Sequence, residues 1–178
     1  DEFYVDDICY SYTAATLAQL NGQTTLINPI TGLTGQQRSP SVEVRNFGLD
    51  PIYSFDISFD YNGTIITENL NNINGGFGLL SMTSMQVDFS NFITLAGGTT
   101  IGTAYIYNVN NGMTQSTSDD TLTINIDAVT PAPNKLVIGE EATGTWCGWC
   151  PRGAVALNWM DYDYAGYWQG IAVHNGDP

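Results

Sequence analysis

The stretch Ile52–Gly63, IYSFDISFDYNG, decides the fold that we expect for this chain. Its bulky apolar residues recur at every second position: Tyr53, Phe55, Ile57, Phe59 and Tyr61. This period of two predicts a β-strand with one buried face and one wet face. Asn62-Gly63 is the strongest short signal for a hairpin turn, so a return strand is expected from Thr64 to Leu70.

Strand patterns on both sides of this stretch predict a β-sandwich. Further strand patterns cover residues 41–45, 84–90, 99–109 and 121–128, separated by Asn- and Gly-rich turn clusters. No convincing helix pattern occurs from Gly22 to Val129, and residues 14–20 fit either a strand or a helical turn. Six or seven short antiparallel strands over about 115 residues predict a mainly β fold, an Ig-like antiparallel β-sandwich.

A second feature is the hexapeptide WCGWCP, Trp146–Pro151. An apolar run at 136–138 precedes it and predicts a short strand, while residues 152–160 have the composition of a helix, with Pro151 suited to its first turn. Strand, CxxC and helix in this order is the setting of a thioredoxin-like redox site. The thiolate is the attacking form of cysteine, and the start of a helix lowers a thiol pKa.

The CxxC pair by itself has other interpretations. Cys147 and Cys150 could form an inert structural disulfide, or half of a zinc site completed by Cys9, His174 or carboxylates. Glu141 lies six residues before Cys147, where a partly buried carboxylate could transfer a proton during thiol exchange. An ordinary solvated loop acid is the alternative for Glu141.

Residues 135–154, KLVIGEEATGTWCGWCPRGA, resemble the opening of the thioredoxin-like domain of secreted Bacteroidota proteins, the Omp-twenty-eight-related family. The resemblance covers roughly this segment and is only architectural elsewhere. It implies that Glu141 takes the place of the buried Asp of thioredoxin and that Trp146 shapes the surface beside Cys147. Trp149 stands where thioredoxin has Pro, which leaves the redox potential undetermined. It also implies export, often by type IX secretion, an outer-membrane-associated or secreted location, and Ig-like modules beside the redox-like domain.

The charge of the chain excludes several classes of partner. The formal net charge is −14, and the basic residues number four: Arg38, Arg45, Lys135 and Arg152. No basic patch for nucleic acid or an anionic membrane can be assembled from them. No apolar run approaches the ~20 residues of a membrane-spanning helix. We therefore expect an extracellular or cell-surface protein, with other extracellular or cell-surface proteins and flanking domains of the same protein as partners.

The expected domain organisation has four parts. Residues 1–13 resemble the closing strand of a preceding jelly-roll-like module, or form an edge strand of the next domain. Residues 14–130 form the Ig-like sandwich, and 131–134 are a Pro-rich linker. Residues 135–178 form the N-terminal portion of a thioredoxin-like domain, which we expect to be incomplete because such domains need about 100 residues. A partial sheet of this kind leaves an apolar edge that something else must cover.

Several other side chains have two interpretations each. Cys9 is either a buried apolar residue or the partner of a cysteine outside this chain. The carboxylates of Asp56 and Asp60, or of the pair 119–120, could bind calcium, although solvated acids are expected. The aromatic residues of 159–168 could form a binding platform, but a core role is expected. A structural role is likewise expected for His174.

Two functions follow from these patterns. The first is an extracytoplasmic thiol–disulfide oxidoreductase in which Cys147 is the nucleophile and Cys150 the resolving thiol, with Glu141 and Trp146 assisting. Its only cofactor would be the redox-active disulfide Cys147–Cys150; no metal is expected. The second is a structural or adhesion protein of the cell surface, in which Ig-like modules act as spacers and the CxxC pair is an inert disulfide.

Overall fold

The computed structural model of the chain describes residues 17–112, 120–174 and 176. These residues form twelve strands, one short 3₁₀ turn and one α-helix. The strands are β1 (Gly22–Ile27), β2 (Gly32–Leu33), β3 (Gln37–Arg38), β4 (Ser41–Asn46), β5 (Phe55–Tyr61), β6 (Thr64–Leu70), β7 (Ser84–Asp88), β8 (Ile93–Thr94), β9 (Gly98–Tyr107), β10 (Thr121–Val129), β11 (Val137–Thr143) and β12 (Trp168–His174). The 3₁₀ turn is Ile73–Gly76, and the helix, α1, is Cys150–Asp163.

The first ten strands form an Ig-like β-sandwich. One sheet has the order β1-β4-β7 and the other has the order β2-β10-β9-β5-β6, and all of these pairs are antiparallel except the short β2–β10 pair. A two-stranded ladder of β3 and β8 lies beside them. The mainly β, sandwich part of the expected fold class is confirmed.

A single apolar core lies between the sheets. From β5 it takes Phe55, Ile57, Phe59 and Tyr61, all fully buried. The facing sheet contributes Val42, Val44 and Val87, which are also buried. Burying aromatic and branched side chains in this way stabilises the sandwich by about 1.5–3 kcal/mol for each residue.

The predicted hairpin is present, with small departures at its start. Asn62 and Gly63 have φ angles of 51° and 78°, as a type I′ turn requires. Tyr53 was expected on the inner face but is about half exposed, because β5 begins only at Phe55. Before that point, the Asn110 side-chain oxygen accepts the backbone N–H of Tyr53, 2.6 Å away. The alternation therefore describes the strand correctly but not the loop that leads into it.

Asn46, at the end of β4, is a fully buried polar residue that holds a loop in place. Its side-chain Nδ2 donates to the carbonyl oxygens of Asp50 and Leu79, each 2.8 Å away. Its Oδ1 accepts the N–H of Gly48, also at 2.8 Å. Without Asn46 the buried Gly48 N–H would lose its hydrogen-bond acceptor, which is costly.

Residues 137–174 form a separate β-α-β unit. Strands β11 and β12 pair in parallel along their whole length, from Val137–Trp168 to Thr143–His174, and α1 connects them. Residues 130–136, which include the predicted linker, have no regular structure. One helix and two parallel strands do not define a particular α/β fold, so the thioredoxin-like assignment stays a prediction.

Strand β1 was not expected from the sequence. Its residues are GQTTLI, and a bulge between Thr24 and Leu26 interrupts the alternation of its pairing with β4. Because a bulge inserts one extra residue, it breaks the period of two that identifies a strand. The predicted strand or edge strand at 1–13, Cys9 and Asp119 lie outside the described residues.

Replacing Asn46 with Ala should destabilise the sandwich by about 3 kcal/mol, because three backbone groups lose a hydrogen bond and two of those bonds are buried. Urea unfolding of the whole chain measures this free energy. Asn69→Ala is the matched control: Asn69 is exposed on β6 and donates to the partly exposed Asp56, so its loss should cost within about 0.5 kcal/mol. Equal costs for the two variants would contradict the role of Asn46.

Asp88, at the exposed end of β7, should show a low pKa. The Ser41 hydroxyl and the Gln86 amide donate hydrogen bonds that lower the pKa of this carboxyl. Because the folded pKa lies below the unfolded one, the contribution to stability is present above the unfolded value and is lost as pH falls through the folded pKa. Carboxyl NMR titration measures it, and Ser41→Ala should raise the pKa. An unchanged Asp88 titration in that variant would be the contrary result.

Candidate functional site

The CxxC motif forms an intrachain disulfide between the end of β11 and the start of α1. Cys147 and Cys150 are joined, with their Cα atoms 5.5 Å apart. Both cysteines are partly exposed. The loop 144–149 that carries Cys147 follows directly after β11, and the backbone N–H of Cys147 donates to the Gly144 carbonyl at 3.0 Å.

The helix begins where the sequence suggested, with Pro151 in its first turn. α1 starts at Cys150, with Trp149 as the N-cap residue. Cys150 therefore occupies the helix start, while Cys147 lies in the turn that leads to it. The partial positive charge of the helix N-terminus is strongest within the first turn. Both sulfur atoms lie there, because Cys150 is the first residue of α1 and Cys147 is bonded to it.

Two contacts fix the surroundings of the disulfide. The Sγ of Cys150 lies 3.6 Å from the carbonyl oxygen of Ala142 in β11, so this sulfur atom faces the strand. The Arg152 guanidinium stacks over the Trp149 ring, 4.4 Å from its centroid. Arg152 therefore keeps its positive charge beside Trp149, on the helical turn that begins at Cys150.

Glu141 lies against the first turn of α1. Its side chain is partly buried, and its carboxylate occupies the space into which a Cβ at position 153 would project. Gly153 therefore allows the close approach of the Glu141 carboxylate to the helix. The structure brings Glu141 and the CxxC segment to one side of the unit, and a proton-transfer role for Glu141 stays a prediction.

The surface around the disulfide is aromatic and exposed. Trp146 and Trp149 are 68% and 73% exposed. The core role expected for the aromatic residues of 159–168 was wrong for Trp159, Tyr162 and Tyr167, which are exposed. The physical reason is that a sheet of only two strands covers one side of α1, and no residue of α1 is buried.

The remaining candidates lie apart from one another. His174 ends β12 beside Thr143, at the same end of the sheet as the CxxC loop. Asp56 accepts hydrogen bonds from Asn69 and Asn108 on the far side of the sandwich. Within residues 17–112, 120–174 and 176, no group of three or more His, Cys, Asp or Glu side chains could hold a metal ion.

Sequence reasoning missed the contact that joins the β-α-β unit to the sandwich. Asp163, the last residue of α1, forms an ion pair with Arg38 of β3 at 3.2 Å and accepts a hydrogen bond from Thr31 at 3.2 Å. The Arg38 guanidinium also lies 5.4 Å from the Tyr162 ring centroid. Residues this far apart in sequence carry no local signal for such a pair. We name the side chains of Arg38, Tyr162 and Asp163 the junction clasp.

No protein-family model and no curated protein matches the chain. Solved structures with a similar fold include the CARDB domain of a Pyrococcus furiosus protein in complex with di-metal ions, 16% identical over 66% of this chain and 100% of that chain, with a TM-score of 0.47. Another is a domain of a putative cell surface protein from Methanosarcina acetivorans, 20% identical over 67% of this chain and 98% of that chain, with a TM-score of 0.48. Because both scores lie below 0.5, the fold assignment rests on the strand pairings of this chain.

Among the described residues, no helix has the length and apolar character that crossing a membrane requires.

Replacing Gly153 with Ala should stabilise α1 in one background and not in another. In the Glu141→Ala background the added methyl group meets no carboxylate, so α1 gains about 1 kcal/mol, the usual advantage of Ala over Gly in a helix. With Glu141 present, the carboxylate must move and that gain disappears. Amide hydrogen exchange of α1 measures the local stability in all four proteins. Equal gains in both backgrounds would show that Glu141 does not contact the helix.

Proposed function

We propose that this chain is part of an extracellular or cell-surface protein that carries out thiol–disulfide exchange with other proteins. In this proposal the Ig-like sandwich is the scaffold and the β-α-β unit is the opening portion of a thioredoxin-like domain. The observation that carries the proposal is the Cys147–Cys150 disulfide, closed at the first residue of α1 and partly exposed.

The chemistry follows from the positions of the two sulfur atoms. In the reduced protein, the Cys147 thiolate attacks one sulfur of a substrate disulfide; a mixed disulfide forms, and the second substrate sulfur leaves as a thiolate. Cys150 then attacks the Cys147 sulfur, which closes the intrachain disulfide and releases the first substrate sulfur as a thiolate. The two electrons move from the dithiol to the substrate, and the reverse sequence oxidises a substrate dithiol.

Glu141 and Trp146 have supporting roles in this mechanism. Cys150 must lose its proton before it attacks, and the Glu141 carboxylate beside the first helical turn is the nearby group that can accept it. Trp146 precedes the nucleophile and is largely exposed, so it offers an apolar contact to a bound polypeptide. Trp149 offers a second such contact on the other side of Cys147.

Two properties support a location outside the cytoplasm. Disulfides persist in oxidising compartments and are rare in reducing ones. The chain is also strongly acidic, with a formal charge of −14, and most of its described residues belong to a sandwich fold that is common on cell surfaces. Export by type IX secretion would follow from the resemblance of residues 135–154 to secreted Bacteroidota proteins.

Insulin reduction with dithiothreitol as electron donor tests the exchange activity. We expect the wild-type chain to accelerate the reaction, Cys147→Ser to abolish the acceleration, and Cys150→Ser to accumulate a mixed disulfide with substrate.

Glu141→Gln should slow the reaction about tenfold or more, because general acid–base groups contribute at least this much. Glu140→Gln is the matched control, since Glu140 is exposed and the neighbouring Glu141 faces α1. Equal rates for wild type and Cys147→Ser would remove the proposal.

A structural or adhesion protein with an inert disulfide is the second candidate. It is favoured by the fact that the buried core of the described residues lies in the sandwich, while α1 has no buried residue. The reduction potential separates the two candidates: structural disulfides lie below about −300 mV and exchanging ones above it. Equilibration of Cys147–Cys150 in glutathione and dithiothreitol buffers measures this potential.

A further inference from the structure

The outer face of the larger sheet carries two neighbouring tyrosines. Tyr105 and Tyr107 alternate along β9 with the buried Ala104 and Ile106, so both tyrosines project away from the core. Their ring centroids are 5.8 Å apart and their planes differ by 31°. Tyr107 is exposed and Tyr105 is partly exposed. We name these two rings the tyrosine platform.

The platform lies over the sheet surface. Ser58 of β5 pairs with Tyr105 and is on the outer face, yet it is only 1% exposed. Its hydroxyl donates to the Tyr107 hydroxyl at 3.3 Å. Tyr107 itself pairs with Asp56, so its ring must extend along the sheet to reach Ser58, its diagonal neighbour. One side of the Tyr107 ring therefore covers Ser58, while the other side meets the solvent.

Polar groups surround the tyrosine platform. Both carboxylate oxygens of Asp56 are held in place: Asn69 donates to one at 2.8 Å and Asn108 to the other at 2.9 Å. The four basic residues of the chain lie elsewhere, on β3, on β4 in the other sheet, before β11 and on α1. The face thus has no cation for an anionic ligand. Its polar side chains are those of Asp56, Asp60, Thr67, Asn69, Thr103 and Asn108.

A polar cleft lies at the end of the same two strands. The Asn110 N–H donates to the Ser54 carbonyl at 2.8 Å, which continues the β5–β9 pairing beyond Asp56 and Tyr107. The Asn110 side chain is also fixed, because it accepts the N–H of Tyr53 and donates to the Pro51 carbonyl. The cleft has a volume of about 480 Å³ and is lined by Asp50, Pro51, Tyr53, Ser54, Asn110 and Asn111. The 47% exposed ring of Tyr53 adds a third aromatic surface there.

We propose that this face binds a neutral β-1,4-linked polysaccharide, with pyranose rings stacked on the tyrosine platform and the chain continuing to the cleft. A pyranose ring with equatorial hydroxyls has flat faces of C–H groups, which pack on aromatic rings, and a rim of hydroxyls. Carboxylates accept hydrogen bonds from these hydroxyls, and amides donate to them. Because side chains such as Asp56 and Asn110 are already held in place, they lose little freedom on binding.

The same face fits a polypeptide less well. Energetically strong protein interfaces centre on apolar anchors in well-packed, desolvated pockets. Here the sheet surface is polar around the two rings, and the cleft beside it is lined largely by polar side chains. A glycan matches this mixture of aromatic and hydrogen-bonding groups over its whole length, since every sugar ring presents both kinds of surface.

Isothermal titration calorimetry of the whole chain tests the proposal with four neutral probes: cellohexaose, xylohexaose, mannohexaose and chitohexaose. At least one should bind with a Kd on the order of 10–1000 µM. Maltohexaose, whose α-1,4 links curve the chain, cannot lie flat over both rings. It should bind at least about tenfold more weakly than that probe, the value of one lost aromatic contact. No binding of any of the four probes, or equal binding of maltohexaose, would overturn the proposal.

Variants locate the binding on the platform. Tyr107→Leu keeps an apolar cover over Ser58 but removes the aromatic face, so the affinity should fall about tenfold. Tyr107→Phe keeps the ring and should bind nearly as well as wild type. Tyr105→Leu should behave like Tyr107→Leu, whereas Tyr162→Leu, which alters an exposed tyrosine of α1, should have no effect. Circular dichroism checks that each variant folds. Equal affinities of Tyr107→Leu and Tyr107→Phe would refute the platform.

Two further measurements separate this site from other binding. Because a neutral sugar has no charge to screen, its affinity should not change between about 0.01 and 1 M NaCl. Hexalysine that bound more tightly than every hexasaccharide, and was released by salt, would assign the face to basic polypeptides and overturn the proposal. Cys147→Ser should bind the sugar with wild-type affinity, because the platform and the cleft belong to the sandwich. A loss of affinity in that variant would place the sugar near the disulfide and contradict the proposed site.

Discussion

Burial of the inner face of β5 is the interaction on which the rest of the structure depends. β5 pairs with β6 on one side and with β9 on the other, so it lies inside the larger sheet. Phe59 packs edge-on against Phe89, with ring centroids 6.1 Å apart, and also lies against Gly102 of β9. Removing such a side chain typically costs about 3–5 kcal/mol, a large share of the stability of a domain. The positions of β10 and of the segment that follows it depend on this core.

The outer face of β5 shows how tertiary contacts modify a simple pattern. Ser58 is on the face expected to be wet, yet it is buried. Its hydroxyl lies 2.7 Å from that of Thr67 in β6 and donates to the Tyr107 hydroxyl in β9 at 3.3 Å. Neighbouring strands thus cover a small polar residue and also provide its hydrogen bonds, so the polar residue carries no penalty for burial.

The β-α-β unit has a different physical character from the sandwich. Its helix has no buried residue, and its two strands leave apolar side chains such as Val137 and Ile138 exposed. The unit is attached to the sandwich by the junction clasp. Segments with few buried contacts open more readily than a packed core, so the disulfide and Glu141 lie in the less stable part of the molecule. Lower local stability suits the disulfide exchange that we propose for this site.

Local patterns in the sequence determined the strands of the sandwich with the cleanest alternation, the Asn62-Gly63 hairpin, and the order strand, CxxC, helix. These features depend on neighbouring residues, whose spacing is visible in the sequence. Tertiary structure alone decided the bulged strand β1, the burial of Ser58 beneath the tyrosine platform, the approach of Glu141 to Gly153 and the junction clasp. Each of these joins residues from different elements. Which elements meet is decided by the packing of the whole chain, and the spacing of residues along one element does not encode it.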